Sequence, residues 1–491
     1  MKKLFALSLF LFVGILYAQT DKDLAAEFIT KEKIEGHIYF LASDELKGRD
    51  TGSDEIKIAS QYIANQLRSY GAKPVPGADG YFQYVPFDLT TAATTREISF
   101  NGKKTETAPL PFLGGNITHN GDVVFVNYGL ADDYKGKNVK GKFVVFKSGS
   151  ETARSPQEMF NLLGDKRDIA AQNGARGAIE LVDINPMIWG FVEHAFGEDR
   201  MTLAGDEEED DGSFSYLWVL DPGNVIAKEL EGKRNNKAEL SVSGIEKTKI
   251  YCRNVVAMIE GTDPKLKNEY IIYGAHYDHV GIGKPDATGD SIYNGARDNA
   301  VGTATVLLMA ENLGKYPTKR SALFILFTGE EMGLLGSRYY VDNPLLPLNQ
   351  MVYTLNSDNA GYNDTSLVTI FGMYRTNMSD HFKTGASAFG LTAIDDPAPE
   401  ENLFDRSDNV NFAMKGIPAP TYSMGFTSFS GTLTETYHQP SDVAHTIDYD
   451  YLVKFFKSYV LTGRLIANDP QRPFWTPGDK YEEAGKELYK K

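Results

Sequence analysis

The chain has 491 residues, roughly three times a common single domain, with 42% hydrophobic, 24% charged and 12% aromatic residues, which excludes a short peptide, a disordered chain and a collagen-like one. Its 50 Lys and Arg stand against 66 Asp and Glu, a formal net charge of −16, and no Lys/Arg-rich run occurs, so nucleic acid is not an expected partner. Cys252 is the only cysteine, which excludes an internal disulfide, a thiolate metal cluster and paired-cysteine redox chemistry.

In chain order, Met1-Lys2-Lys3 is followed by an apolar stretch from Leu4 to Tyr17 and by Ala18-Gln19, a small-residue cleavage point. This pattern reads as a secretory signal over residues 1–18, its apolar run falling short of the ~20 residues that cross a bilayer. No later segment is long or apolar enough to span, so the mature protein is expected in the periplasm or outside the cell.

Residues 19–100 are read as the first part of the main domain. Helical spacing of apolar residues predicts helices over Glu27–Leu41 and Glu55–Tyr70, the second with Ile56, Ala59, Ile63 and Leu67 on one face. The texture then becomes β-rich over 101–248, with runs at Asp122–Asn127, Lys142–Lys147 and Ala178–Val182 and a helix at Ile169–Gly174, which reads as an inserted domain. Its acidic run Asp206–Asp211 is a solvated loop or a cation site. Residues 249–468 alternate strand candidates (Tyr270–Tyr273, Ala322–Thr328, Val352–Leu355) with helical patterns, the signature of a layered α/β sheet, and 469–491 form a polar tail with a short helix.

The chemistry lies where those strands end. Tyr270–Tyr273 runs into His276-Tyr277-Asp278-His279, Ala322–Thr328 into Gly329-Glu330-Glu331, and Val352–Leu355 into Asn356-Ser357-Asp358. The carboxyl ends of strands in an open α/β sheet share one crevice, so these side chains can converge. Asp298 and His438 complete a set of two histidines and several carboxylates, donors that suit zinc, cobalt or manganese, and one shared carboxylate can bridge two ions. Asp278 is placed to accept the far ring N–H of His276, and one of the paired glutamates can bind metal while the other acts as general base. Each residue also has a plainer reading. Glu330 and Glu331 could complement a helix start, Asp298 could be an N-cap, His276 a core histidine and His438 a loop residue. Their joint placement after successive strands favours the metal site, while His37, His119, His194, His279, His381 and His445 lack that placement and read as structural or surface.

Together with Gly295-Ala296-Arg297-Asp298-Asn299-Ala300, Gly329-Glu330-Glu331-Met332-Gly333-Leu334-Leu335-Gly336-Ser337 and Tyr437-His438-Gln439-Pro440-Ser441-Asp442, the His276-Tyr277-Asp278-His279 segment resembles the motif set of the dizinc aminopeptidase family, which includes bacterial leucyl aminopeptidases, aminopeptidase Y and glutamate carboxypeptidase. Leu41-Ala42-Ser43-Asp44-Glu45-Leu46-Lys47-Gly48-Arg49 is similar to a segment near the start of those enzymes, and the insertion looks like their protease-associated domain. The resemblance implies a three-layer α/β/α zinc-exopeptidase domain with a mixed central sheet and two zinc ions per chain. His276 and Asp358 would bind one zinc, Glu331 and His438 the other, with Asp298 bridging. Glu330 would be the general base, Asp278 the orienter of His276, Tyr437 a donor to the oxyanion, and Arg406 a substrate contact.

The reading is therefore a secreted dizinc exopeptidase, an aminopeptidase whose partners are peptides with a free amino terminus. A glutamate-type carboxypeptidase would capture a free carboxylate instead; the acidic loop Asp395, Asp396, Glu400 and Glu401 before Arg406 either suits an ammonium better or is simply a solvated loop. A one-zinc glutaminyl cyclase and a non-catalytic binding ectodomain are the further alternatives. Phe404, Phe426 and Phe429 either line an apolar pocket or pack in the core.

Overall fold

The computed structural model of the chain describes residues 19–113, 115–153, 155–205, 214–429 and 431–490; the expected signal at 1–18 and the acidic run Asp206–Asp211 lie outside them. The fold falls into two compact units, one made of the chain up to Val85 together with Cys252 onward, the other of Pro86–Tyr251.

The first unit opens with helices α1 (Asp21–Ala26) and α2 (Lys31–Leu41), where the spacing had suggested one helix from Glu27. The break falls at Thr30, which adopts extended backbone and accepts a hydrogen bond from the Lys33 amide at 3.4 Å, so a new helix starts there. Helix α3 (Asp54–Ser69), capped by Ser53, buries Ile56, Ala59, Ile63 and Leu67, the stripe read from the sequence.

His37 of α2 is buried against Tyr62 of α3 and Tyr70 just beyond it: its Nδ1 lies 2.8 Å from the Tyr62 hydroxyl and its Nε2 3.2 Å from that of Tyr70. Burial, with a smaller contribution from Lys33, pulls its pKa from 6.5 down to about 4. The folded state thus holds the neutral ring, and the stability this provides is complete above pH 6.5 and lost as pH falls toward 4, amounting to about 3 kcal/mol. Denaturant unfolding at pH 7 and 4.5 checks this: His37→Gln should show a shallower acid loss than wild type, and parallel losses would refute it.

Among the described residues, seven strands of this unit matter for the site: β1 (Lys247–Ile259), β2 (Tyr270–His276), β3 (Ser321–Phe327), β4 (Met351–Ser357), β5 (Leu367–Phe371), β6 (Thr392–Asp395) and β7 (Thr421–Met424). They lie in the order β6-β5-β7-β4-β2-β3-β1. β2 runs parallel to both β3 and β4, and β4 to β7, while β1 pairs antiparallel with β3 and β5 antiparallel with β7, so the sheet is mixed. β3 and β4 are buried at every position, which explains the unbroken apolar run Ala322–Phe327 of β3, while β4 also buries Thr354, Asn356 and Ser357.

Alternate residues of the strands enter two cores. Ile271, Tyr273, Phe324 and Leu326 pack with α2, α3, α4 (Gly302–Lys315) and α6 (Tyr449–Asn468). Ile272, Leu323, Ile325 and Phe327 pack on the opposite face against Tyr340 and Val341 of α5 (Leu335–Asp342), with Phe412 and Trp475. Helices on both faces make the three layers that the family resemblance implied. No helix among the described residues is long and apolar enough to cross a membrane.

The second unit has its own mixed sheet, in the order Lys103–Lys104, Thr95–Phe100, Asn236–Ser243, Ile117–Phe125, Phe143–Lys147, Gly177–Val182, Ser215–Leu220 and Leu110–Leu113. One face of its central strands packs Phe143, Ile179 and Leu217, the other Phe146, Ala178 and Trp218.

Candidate metal centre

The register of the parallel strands fixes the site. His276 is the last residue of β2 and pairs with Phe327, the last of β3, while Gly274 pairs with Asn356 near the end of β4. The residues that follow, Glu330 and Glu331 after β3 and Asp358 after β4, therefore leave the sheet at the same edge. Neither glutamate complements a helix: α5 begins at Leu335, beyond a turn that contains both. Asp298 caps no helix either, and it is joined to Asn299 by a cis peptide bond.

Four buried groups hold these segments in place. The Arg49 guanidinium donates to the carbonyls of Leu41, Tyr277, Asn294 and Gly295, tying the start of the chain to the segments that carry His276 and Asp298. Asp442 accepts from the amides of Arg297 at 2.9 Å and Asp298 at 3.2 Å and from the Arg297 guanidinium at 2.9 Å, which joins the His438 segment to the Asp298 loop. The Asn299 amide group donates to the Ser357 carbonyl at 2.9 Å. Gly295 has φ +60°, and a Cβ there would stand 2.6 Å from the His279 ring, so the loop requires glycine.

The five residues expected to be ligands converge. The two oxygens of Asp298 face different histidines: Oδ1 lies 3.3 Å from His276 Nε2, and Oδ2 lies 3.2 Å from His438 Nε2. His276 Nε2 is also 3.4 Å from Asp358 Oδ1, and His438 Nε2 is 3.1 Å from Glu331 Oε2. Two donor groups thus share Asp298: His276, Asp298 and Asp358 form one, and His438, Asp298 and Glu331, with His279 beside them, form the other.

Two bonds of 2.0–2.2 Å to a tetrahedral ion set their donor atoms about 3.3–3.6 Å apart. The spacings of 3.1–3.4 Å lie near that edge length. The buried His438 Nε2, although close to two carboxylates, is aligned on neither and has no hydrogen-bond partner. The donor set fits divalent metal.

The electrostatics agree. Burial works against the His276 imidazolium, but Glu330, Asp298 and Asp358 outweigh it and hold its pKa well above the ordinary value. Burial likewise opposes the His438 imidazolium, and Asp298 and Glu331 push it up to about 10. Burial would raise Asp298, yet the two histidines on its oxygens keep it far below the carboxylate range. Burial and neighbouring Asp298 raise Glu331, but His279 and His438 bring it down to about 2. A buried cluster that stabilises cationic imidazole is one that calls for positive charge, which a metal ion supplies.

Glu330 behaves differently from its neighbour. Burial is the main cause of a pKa well above the ordinary value; His276 opposes it, and Asp358, Glu331 and Asp408 add to it. Asp408, which sequence reasoning passed over, is itself fully buried with neither oxygen hydrogen-bonded, and burial raises it to about 7.

Asp278 departs from its expected contact. The His276 Nδ1 meets the main-chain carbonyl of Asp278 at 3.2 Å, while the carboxylate stands 3.7 Å away. That carboxylate instead accepts from the amides of Glu330 at 3.3 Å and Glu331 at 3.2 Å and from the Thr51 hydroxyl at 3.0 Å. Asp278 therefore orients His276 through its backbone and the glutamate pair through its side chain.

A cleft of about 750 Å³, open mouth included, adjoins the centre. Phe371, Leu403, Phe426, Phe429 and Leu433 give it apolar walls, and Arg406 and Tyr437 also face it. Tyr437 stacks on the His438 ring with centroids 4.1 Å apart, and burial raises its hydroxyl pKa, so it stays a donor. Phe404 is buried in the core beneath Arg375 and Trp475. Asp395, Asp396, Glu400 and Glu401 of the acidic loop are not among the residues that line this cleft.

The sequence profile of peptidase family M28 matches residues 254–461. A probable leucine aminopeptidase 2 of Aspergillus oryzae is 27% identical over 335 residues, covering 64% of this chain and 57% of that protein. Leucine aminopeptidase 2 of Trichophyton equinum is 28% identical over 391 residues, 78% of this chain and 66% of that protein. The chain thus spans less than two thirds of the length of these relatives. The fold is shared with the aminopeptidase from Aneurinibacillus sp. strain AM-1 (TM-score 0.62, 22% identity, 93% of this chain and 98% of that one). It is shared also with the zinc aminopeptidase BSAP of Bacillus subtilis (TM-score 0.53, 18% identity, 90% and 96%). All five converging ligand candidates fall inside the segment that matches the profile of peptidase family M28.

Proposed function

We propose that this protein is a zinc-dependent aminopeptidase that binds two zinc ions and hydrolyses the first peptide bond of substrates with a free amino terminus. The observation that carries this reading is the Asp298 carboxylate, whose two oxygens face His276 and His438 separately. The names of the similar proteins, leucine aminopeptidases and a zinc aminopeptidase, support the same direction.

His276 and Asp358 would hold one ion, Glu331 and His438 the other, with Asp298 between them. Bound zinc supplies Lewis-acid polarisation of the attacking water and the scissile carbonyl. Glu330 then takes the proton of that water and returns it to the leaving amine. Tyr437 donates its hydroxyl hydrogen to the developing oxyanion, Arg406 contacts the substrate at the cleft, and the apolar walls receive the first side chain. The leader-like residues 1–18 support export to the periplasm or the medium.

Arg406 is the one feature that favours a carboxypeptidase, since a guanidinium suits a terminal carboxylate. A panel of amino-acid arylamides beside amino-acetylated peptides with free carboxyl ends separates the two. Arylamides should be cleaved and acetylation should abolish turnover; cleavage of acetylated peptides from the carboxyl end would reverse the assignment.

A further inference from the structure

His279 is fully buried at the centre, yet the hydrolytic scheme above gives it no task. Its Nδ1 lies 2.8 Å from Glu331 Oε1, shorter than the 3.1–3.4 Å spacings among the ligand candidates. An ionised carboxylate only accepts, so this ring nitrogen carries the hydrogen and donates it. Glu331 Oε1 is thereby engaged, and Oε2, 3.1 Å from His438 Nε2, is the oxygen left to face the metal position.

The ring itself is held from several sides. The His279 amide donates to the Arg49 carbonyl at 3.3 Å, and the backbone of Gly295 packs so closely on the ring that a Cβ there would lie 2.6 Å from it. The His438 ring stands edge-on with centroids 5.4 Å apart. The second nitrogen, Nε2, has no hydrogen-bond partner, so the ring makes one directed contact, the one to Glu331.

We propose that His279 is a positioning residue which fixes Glu331 as a one-oxygen ligand and thereby sets the affinity of the second zinc site. This rests on the two-zinc reading. Groups that hydrogen-bond a ligating carboxylate or imidazole typically change metal affinity about 10–100-fold when removed.

The test uses the full chain stripped of metal and reloaded, with His279→Leu, His279→Asn and His279→Gln beside wild type. Zinc stoichiometry and affinity are read by competition with a chromogenic chelator, and the cobalt-substituted proteins by visible absorption. His279→Leu should keep one tight site and lose about 10–100-fold at the other. His279→Asn places an amide N–H where Nδ1 stands and should restore most of that loss; His279→Gln, whose amide reaches the Nε2 position, should not. Equal affinities in wild type and a folded His279→Leu would overturn the proposal, as would restoration by Gln and not by Asn, which would make Nε2 the working atom. Wild type that binds a single zinc would instead overturn the two-zinc reading and the proposal with it.

Discussion

If the proposed two-zinc scheme holds, Glu330→Gln should retain both zinc ions and the fold while losing about 10²–10⁴-fold in kcat, the usual contribution of a general base. Glutamine fills nearly the same volume and can still hydrogen-bond water, but it does not accept a proton at neutral pH. The two adjacent glutamates are chemically alike, and their surroundings separate them. Glu331 has one oxygen on His279 and the other beside His438, and those histidines hold it ionised at about 2. Glu330 faces the cleft with burial and three carboxylates favouring its protonated form, which is the environment of a group that takes up and releases a proton. Glu331→Gln should accordingly weaken zinc binding itself. Metal analysis beside kinetics on both variants decides; a fully zinc-loaded Glu330→Gln enzyme within about tenfold of wild type would remove the base role from this residue.

The parts of this fold legible in the sequence were those governed by local pattern. The apolar stripe of α3 and the strand-like segments of β2, β3 and β4 show in consecutive residues, and His276, Glu330, Glu331 and Asp358 stood out because they lie at or just after the ends of those strands. What the sequence hid depends on distant partners. His279 read as structural because nothing near it in the chain reveals Glu331, which reaches it only through the parallel pairing of β2 with β3. Asp278 sits two residues from His276, but whether backbone or carboxylate meets the ring is decided by where the amides of Glu330 and Glu331 arrive. The role of Arg49 likewise appears only once Tyr277, Asn294 and Gly295 surround it.

The second unit contains the largest expected effect on stability, at a residue whose surroundings in the sequence read only as an apolar strand. Glu180 of Gly177–Val182 and Lys166 are both fully buried, with Nζ and Oε1 2.7 Å apart. Lys166 also donates to the Lys147 carbonyl at 3.0 Å, while Glu180 Oε2 accepts from the Tyr216 hydroxyl at 2.8 Å and the Trp218 indole at 2.6 Å. Both carboxylate oxygens are thus in use, which offsets the cost of burying the charge. Glu180→Ala would leave a buried ammonium and two buried donors without their acceptor. Breaking a buried pair in this way costs about 3–5 kcal/mol, a large part of the ~5–15 kcal/mol that holds a domain together. Burial already lowers the Lys166 pKa against the pull of Glu180, so in the variant the amine should shed its proton rather than stay charged. Lys166→Met combined with Glu180→Leu removes the charges together, and should recover part of the loss although Tyr216 and Trp218 remain unpaired. Denaturant unfolding followed by tryptophan fluorescence reports on this unit, because Trp189 and Trp218 lie in it and Trp475 is the only other tryptophan. If the double variant proved less stable than Glu180→Ala, the pair would be holding the unit by packing and not by the balance of two buried charges.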